Sequence, residues 1–534
     1  MSIIINKKRI SVLSYVGSLF STLLSCFIFS TSNAQLTVAK VFGSGMVLQR
    51  DQPITIWGKA IPNTVVVARM AHGSISEKAI EQKETVVALD STWKVILTPQ
   101  KADAFPQTLS ITNQKESHTF SDILIGDVWV CAGQSNMAFM LKNDQFARQT
   151  LPNASQPNLR LLNWQSGLTT YNSPYKSQEV SRLQPEIFYS GSWQNADSSS
   201  ASSFSAAAFY FGQQVQQQTN IPIGLIHLAV GGSPCEAWMS AEAVKGETKL
   251  EKLFQGNWLN NKALEPWCIE RGHQNLDNLL KSNELLPQDS LGVNHPFKPG
   301  FLYKAGIEPL LNFPIKGVIW YQGESNSLSY ERVRQYEKLF PRLIQDWRRK
   351  WGLGDFPFYF CQLSSIGTEK GYQSHFWPEF RDSQRRIAEK MPNVGMVVTS
   401  DVGDPSDVHP TNKKEVGERL AKVALAKTYH QKIAYLGPTL VKVKQTPRQF
   451  ILTFSYVEKG LQTADNKPLI GFLLEDKNGN KVEVKADISG KNKIILPKET
   501  GRYQRILYGW KPFSNGNLVN SEGFPASTFG VKIK

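Results

Sequence analysis

A serine stands out among the side chains that could do hydrolytic chemistry. Ser135 lies shortly after the apolar run 123–130 and precedes residues 137–141, which are better helix formers. A strand-loop-helix junction presents a serine hydroxyl at the end of a sheet, where N–H groups at the helix start could hold an oxyanion. The pattern predicts that Ser135 is a nucleophile. An ordinary polar turn is the alternative, because Gly, Ser and Asn are common in turns.

Three more polar clusters also follow apolar, strand-like runs. Each cluster alone could be a turn, a solvated loop or a helix cap. Together with Ser135 they favour a catalytic site, because ligands gather beyond the carboxyl ends of parallel strands. The clusters are residues 231–233, 321–326 and 401–409, after the runs 223–230, 315–320 and 394–399.

The surrounding pattern predicts a domain of alternating strands and helices between two β-rich domains. Five apolar runs alternate with helical segments within residues 122–430, which indicates a parallel sheet covered on both faces. Residues 238–299 break this alternation and are predicted to be an insertion near the site. Short β-rich pieces in residues 35–121 and 431–534 predict β-sandwich-like domains.

Composition excludes several function classes. The net charge of +15 could indicate an anionic partner, but no dense basic run exists beyond residues 348–350, so nucleic-acid binding is not predicted. The eight histidines show no metal-ligand spacing, and no metal site is predicted. Four cysteines after residue 34 are too few for a disulfide-built scaffold, although one or two bridges stay open. The sequence gives no indication of the oligomeric state.

Residues 1–34 have the pattern of an export signal. Lys7-Lys8-Arg9 precedes the apolar stretch 12–29, and Ser32-Asn33-Ala34 is a small-residue cleavage site. Lipid anchoring at Cys26 is the alternative, but the apolar run continues past it. No later segment reaches the roughly 18 apolar residues of a membrane span. We therefore expect a periplasmic or extracellular protein without a transmembrane segment.

Taken together, the motifs resemble those of the sialate O-acetylesterase family, within the SGNH (GDSL-like) hydrolase superfamily. The likeness covers most of the chain and implies a flavodoxin-like, three-layer hydrolase domain that removes acetyl esters from carbohydrates without a cofactor. The Gly-x-Ser-x-Gly elbow of α/β-hydrolases is absent. The motifs are Gly133-Gln134-Ser135-Asn136-Met137, Gly231-Gly232-Ser233, Trp320-Tyr321-Gln322-Gly323-Glu324-Ser325-Asn326 and Asp407-Val408-His409-Pro410, with further likeness at residues 46–50 and 517–529.

The resemblance also implies roles for individual residues. His409 would deprotonate Ser135, whose oxygen would attack the acetyl carbonyl. The oxyanion would be held by the N–H groups of Ser135 and Gly232 and by the Gln322 amide, which stands where many superfamily members have an asparagine. The remaining alternative class is a carbohydrate-binding protein without catalysis.

Two carboxylates compete to orient the imidazole of His409. Asp407 lies two residues before it and could reach Nδ1 only if the loop turns, and Glu324 could approach from a neighbouring strand end. We favour Asp407, with Asp404 a third choice. The acetylated substrate is either a sialic acid or a hemicellulose such as xylan. Predicted substrate contacts are Gln134, Asn136, Glu324 and Arg381, the last as a possible carboxylate partner.

Overall fold

The computed structural model describes residues 35–74, 76–282, 284–498 and 501–533. The predicted export signal at residues 1–34, with Cys26, lies outside these ranges. Within them, no helix combines the length and apolar character that crossing a bilayer requires. The four cysteines in the described ranges are buried free thiols.

Seven strands form the central sheet of the structure. The neighbouring pairs are parallel, except that β3 runs antiparallel to β2. The spatial order is β3-β2-β4-β1-β5-β6-β7, so β4 and β5 flank β1 in the middle. The strands are β1 (Ser117–Gly133), β2 (Gln156–Asn163), β3 (Trp193–Ala196), β4 (Ile223–Ala229), β5 (Gly317–Tyr321), β6 (Phe358–Cys361) and β7 (Val394–Val397).

The sheet contains the five predicted parallel strands and two more. β2 was not predicted because Arg160 interrupts its short apolar run; the guanidinium pairs with Asp122 at the edge of the core. Numbered along the chain, the five predicted strands (β1, β4, β5, β6 and β7) lie in the order second, first, third, fourth, fifth, which is the strand order of flavodoxin. β2 and β3 extend the sheet at the edge next to β4.

Helices pack against both faces of the sheet. α1 and α5 contact each other on one face, where Trp129 and Tyr359 are buried, and α3 and α4 pack on the other, around Trp320 and Phe358. The helices predicted near residues 204–215, 333–347, 379–391 and 413–429 are confirmed. The long helices are α1 (Ala206–Thr219), α2 (Pro266–Lys281), α3 (Tyr330–Trp351), α4 (Trp377–Lys390) and α5 (Lys413–Lys427).

The first part of the chain is joined to this sheet through β1. The amino-terminal half of β1 pairs antiparallel with Asp103–Thr112 and parallel with Val47–Gln49, so β1 is continuous across residues 121 and 122, the predicted domain boundary. Other strands here are Thr37–Val38, Ile54–Lys59, Val65–His72, Ala79–Val86 and Thr92–Leu97.

The last part of the chain is β-rich, as the sequence predicts, with its own apolar core. The predicted hairpin at Asn478-Gly479 joins the antiparallel strands Phe472–Asp476 and Lys481–Glu483. Two four-stranded sheets and one pair of short strands form this part. The remaining strands are Thr439–Gln445, Gln449–Ser455, Leu461–Thr463, Asp487–Ser489, Lys493–Pro497, Tyr503–Tyr508, Leu518–Asn520 and Phe529–Lys532.

Candidate active site

A pocket of about 430 Å³ opens where β1, β4 and β5 end. Ser135, Glu324 and His409, from three segments far apart in sequence, line it together. Because β1 lies between β4 and β5, the pocket is at the point where the chain switches from one half of the sheet to the other, which is where ligands bind in open α/β sheets. Gln134, Gly231, Gly232 and Val408 also line it.

Ser135 begins a one-turn helix, Ser135–Ala138, directly after β1. The turn depends on Gly133, whose φ is +142°. A Cβ atom at this position would lie only 2.2 Å from the Tyr321 carbonyl oxygen, so only glycine leaves room for that carbonyl. The side chain of Gln134 is buried and its Oε1 accepts hydrogen bonds from the N–H groups of Gly323 and Ser325, at 3.2 and 3.5 Å. Gln134 thereby holds two loops together and still borders the pocket.

Two N–H groups beside the Ser135 hydroxyl have no hydrogen-bond partner among the described residues: those of Ser135 and Gly232. The loop of Gly232 is held instead by its carbonyl groups, which accept from Thr170 Oγ1 at Gly231 and from Ser325 Oγ at Gly232, both at 2.8 Å. Gly232 has φ of +74°, a conformation that favours glycine. The site thus keeps two backbone donors available for a ligand oxygen.

Gln322 does not line the pocket. It is fully buried, and its Nε2 donates to Ser233 O at 3.3 Å and to Asn326 Oδ1 at 2.7 Å. Both N–H donors of the amide are therefore already bonded, one to the loop that follows β4 and the other within its own loop after β5. The structure gives this amide a bridging position rather than the predicted contact with an oxyanion.

His409 lies on a loop that turns back on itself. Asp404 Oδ1 accepts hydrogen bonds from the N–H groups of Ser406 and Asp407, at 2.7 and 3.0 Å. The turn brings Asp407 Oδ1 within 3.4 Å of His409 Nδ1 and 2.8 Å of the His409 N–H. Burial lowers the pKa of His409. The Asp407 carboxylate raises this pKa, and the Lys413 ammonium lowers it further.

Glu324 borders the same pocket but makes no hydrogen bond to His409 in the described structure. It is 7% exposed, and its Oε1 accepts from Asn136 Nδ2 at 2.5 Å. Its Oε2 has no partner among the described residues, and burial raises the pKa of this carboxyl group. Asn136 also donates to the Val408 carbonyl at 3.0 Å, so it joins Glu324 to the loop of His409.

Lys413 is part of this network and was missed in the sequence. It has no exposed surface, and its Nζ donates to Asn136 Oδ1 at 2.6 Å and to Pro410 O at 2.7 Å. Its only sequence signal is a lysine at the start of a predicted helix, a position that is usually solvated. The contact with Asn136 spans 277 residues and has no local signature.

Arg381 lies away from the pocket. Its guanidinium is fully buried and donates to the carbonyls of Gly509 and Pro512 and to Thr528 Oγ1, which ties α4 to the last part of the chain. Burial lowers the pKa of Arg381 to about 9. These contacts leave it without the predicted contact to a substrate carboxylate.

A different arginine lines the pocket. Arg271 of α2 lies over the ring of Trp267 at 5.1 Å, its Nε donates to Gln274 Oε1 at 2.9 Å, and its Nη1 donates to the Thr170 carbonyl. Within the part of the chain that is described, no carboxylate pairs with it, and no group of side chains is arranged to hold a metal ion. Sequence analysis missed Arg271 because residues 238–299 carry no clear pattern next to the catalytic motifs.

Comparison with known proteins identifies the family to which the chain is similar. A family model described as carbohydrate esterase, sialic acid-specific acetylesterase, matches residues 125–255 and 301–426. The matched segments contain every residue of the Ser135, Gly232, Glu324 and His409 loops. The unmatched segment, residues 256–300, contains α2 with Trp267 and Arg271.

Individual relatives extend the likeness over most of the chain. Sialate O-acetylesterase of Homo sapiens is 30% identical over 458 residues, covering 80% of this chain and 78% of that protein. Sialate O-acetylesterase of Mus musculus is 30% identical over 497 residues, covering 87% of each. A carbohydrate acetylesterase from Xanthomonas citri has a similar structure, with a TM-score of 0.74 and 27% identity over 93% of this chain and 99% of that one. The chain belongs to the sialate O-acetylesterase family of carbohydrate esterases.

Proposed function

We propose that this protein is a serine esterase that removes O-acetyl groups from carbohydrates through an acyl-enzyme. The observation that carries the proposal is the shared pocket: Ser135 and His409 line it together, beside the two unpartnered N–H groups of Ser135 and Gly232. A protein that only bound carbohydrate would not need this combination of nucleophile, base and oxyanion donors.

The reaction proceeds in two halves. His409 takes the proton of the Ser135 hydroxyl as its oxygen attacks the acetyl carbonyl, and the oxyanion is held by the N–H groups of Ser135 and Gly232. Each such donor typically contributes roughly 3 kcal/mol to the transition state. The bond to the sugar oxygen then breaks, and His409 returns the proton to that oxygen. Water, deprotonated by His409, attacks the acyl carbon; the bond to the Ser135 oxygen then breaks, His409 returns the proton to that oxygen, and acetate leaves.

Asp407 is the acid that we assign to His409. Its carboxylate lies 3.4 Å from Nδ1, which leaves Nε2 to exchange the proton with Ser135. Glu324 is the competing candidate, and its known hydrogen bond goes to Asn136 instead. The loop turn made by Asp404 supports Asp407, because it supplies the geometry that a spacing of two residues needs.

An acidic sugar is the substrate that the pocket favours. The Arg271 guanidinium has no carboxylate partner in the described structure; its Nε and Nη1 donate to Gln274 and Thr170, its Nη2 has no partner there, and its charge favours a carboxylate. Trp267, Tyr171, Tyr372 and Trp377 add aromatic surface for a sugar ring. We therefore propose an acetylated sialic acid as the first substrate to test, in keeping with the name of the human and mouse relatives. Neutral acetylated xylan is the alternative.

Two further proposals concern architecture and location. We propose that the hydrolase domain is of the three-layer SGNH type, supported by helices on both faces of the parallel sheet. We also propose export with cleavage after Ala34, supported by the order of basic, apolar and small residues in the sequence. Amino-terminal sequencing of the protein from its host would overturn export if Met1 were retained.

Acetate release tests the proposed function. The purified protein without residues 1–34 is incubated with a chromogenic acetate ester and with acetylated sialosides, beside Ser135→Ala. We expect turnover by the wild type and a loss of roughly 10⁴-fold or more in kcat for the variant, with an unchanged melting temperature because a half-buried serine contributes little packing. A folded wild type without turnover would favour the carbohydrate-binding alternative, and a variant within a few-fold of wild type would exclude Ser135.

A further inference from the structure

Lys413 carries an ammonium group in a fully buried position next to the pocket. Its Nζ donates to Asn136 Oδ1 and to Pro410 O, and it lies 4.9 Å from the ring centre of Phe139 and 5.6 Å from that of Tyr321. Burying an ammonium costs free energy unless such partners replace its water. The four contacts therefore form a specific site for this one cation.

The helix that begins at Lys413 does not account for its charge. Cations are unfavourable at a helix amino terminus, where the helix dipole is positive. The start of α5 is already capped by Asn412, whose Oδ1 accepts from the Glu415 N–H at 3.2 Å. Packing does not require a charged group either, because an apolar side chain of similar length would fill the same space. The position of Lys413 needs another explanation.

The explanation lies on either side of His409. The carbonyl before it, of Val408, accepts a hydrogen bond from Asn136 Nδ2 at 3.0 Å, and the carbonyl after it, of Pro410, accepts one from Lys413 Nζ at 2.7 Å. Asn136 and Lys413 are themselves joined at 2.6 Å. Since Asn136 follows Ser135 directly, one network connects the serine segment with the carbonyl groups of both residues that flank the histidine.

We propose that Lys413 is a positioning residue that, through Asn136 and the Pro410 carbonyl, fixes the main chain of His409 relative to Ser135. The inference rests on the proposed function, because it assigns a role in bringing these two side chains together. It goes beyond that function because Lys413 itself does not line the pocket and contacts no reacting atom.

Charge is the second consequence of this placement. Burial lowers the pKa of Lys413 to about 7, against its ordinary 10.5, and the carboxylates of Glu324, Asp144 and Asp407 and the Cys361 thiol oppose that shift. The Lys413 ammonium in turn lowers the pKa of His409, which Asp407 raises. Removing the cation should therefore raise the pKa of His409. Because a general base must be neutral, the acid limb of the pH profile of kcat would move to higher pH.

The test compares Lys413→Met and Lys413→Arg with Lys414→Met, a control at the neighbouring, partly exposed lysine. We expect Lys413→Met to lose on the order of 10²-fold in kcat on a chromogenic acetate, since a misplaced catalytic group costs about that much, with little change in KM and with the acid limb at higher pH. Lys413→Arg keeps the charge and should restore the position of the acid limb and part of kcat. Lys414→Met should match the wild type.

Three results would overturn the proposal. The first is a folded Lys413→Met with wild-type kcat and acid limb. The second is a loss of kcat with an unmoved acid limb and no recovery in Lys413→Arg, which would indicate only a structural role. If Lys413→Met does not fold, Asn136→Ala decides, because an unchanged kcat there would show that the link is dispensable. The wild type is measured in the same experiments. If it is active, any of these results refutes only the role of Lys413 and not the proposed esterase function.

Discussion

The pocket has two walls that are built in different ways. The catalytic wall, formed by Ser135, Gly232 and His409, lies at strand ends and is held by hydrogen bonds to backbone groups from several loops. The recognition wall, formed by Trp267 and Arg271, comes from the single helix α2. The two walls meet where the Trp267 ring packs against Gly232. A Cβ atom added to Gly232 would lie only 2.7 Å from that ring.

The difference between the walls indicates that chemistry and selectivity are separable in this protein. The family model covers the catalytic wall and leaves out residues 256–300, which carry the recognition wall. Parallel strands fix their carboxyl ends through the sheet core, so the catalytic groups are positioned by most of the domain. α2 lies within the predicted insertion, and we expect exposed positions of this helix to tolerate change more readily than the strand ends.

The first way to test this separation is to damage the catalytic wall at its acid. Asp407→Asn should lose up to roughly 10⁴-fold in kcat on every ester, because the histidine would then lose its orientation and the stabilisation of its cation. Glu324→Gln keeps an acceptor for Asn136 and should lose much less. Turnover and melting temperature are measured for both variants. A large loss for Glu324→Gln alone, with Asp407→Asn merely less stable, would move the acid to Glu324.

The second way is to damage the recognition wall at its charge. Arg271→Ala should raise KM for an acetylated sialoside by about 10- to 100-fold, the worth of one charge-assisted pair, and should leave both kcat and the hydrolysis of a neutral acetate ester unchanged. Arg271→Lys should lie between, since lysine lacks the planar fork. Arg334→Ala, at a largely exposed arginine of α3, is the matched control. Equal effects on acidic and neutral esters would refute separate walls.

Sequence alone predicted more of the catalytic wall than of the recognition wall. The apolar strands and amphipathic helices are local patterns, and the motifs at Ser135, Gly232 and His409 follow strands whose ends meet. Side-chain partners are not local: Gln322 donates to a carbonyl 89 residues away, and this contact uses an amide N–H that was predicted to hold the oxyanion. Lys413 was missed for the same reason, because its partner Asn136 comes from a distant segment. Arg271 was missed because residues 238–299 carry no clear pattern.

The domain boundary illustrates a further limit of local patterns. The predicted boundary between residues 121 and 122 lies where short β-rich pieces give way to alternating strand and helix patterns. In the structure a single strand, residues 117–133, crosses this boundary: its first half pairs with the amino-terminal β elements and its second half with β4 and β5. The amino-acid composition of a strand can therefore change where its neighbouring strands change, although the strand itself is continuous.

The central claim is that the acetyl group is transferred to Ser135 before water releases it. The most direct measurement is mass spectrometry of peptides from enzyme quenched in acid during turnover of a chromogenic acetate. We predict the added mass of one acetyl group on the peptide that contains Ser135, and its absence from Ser135→Ala treated identically. Rapid turnover accompanied by acetylation at another residue, with Ser135 unmodified, would contradict the account.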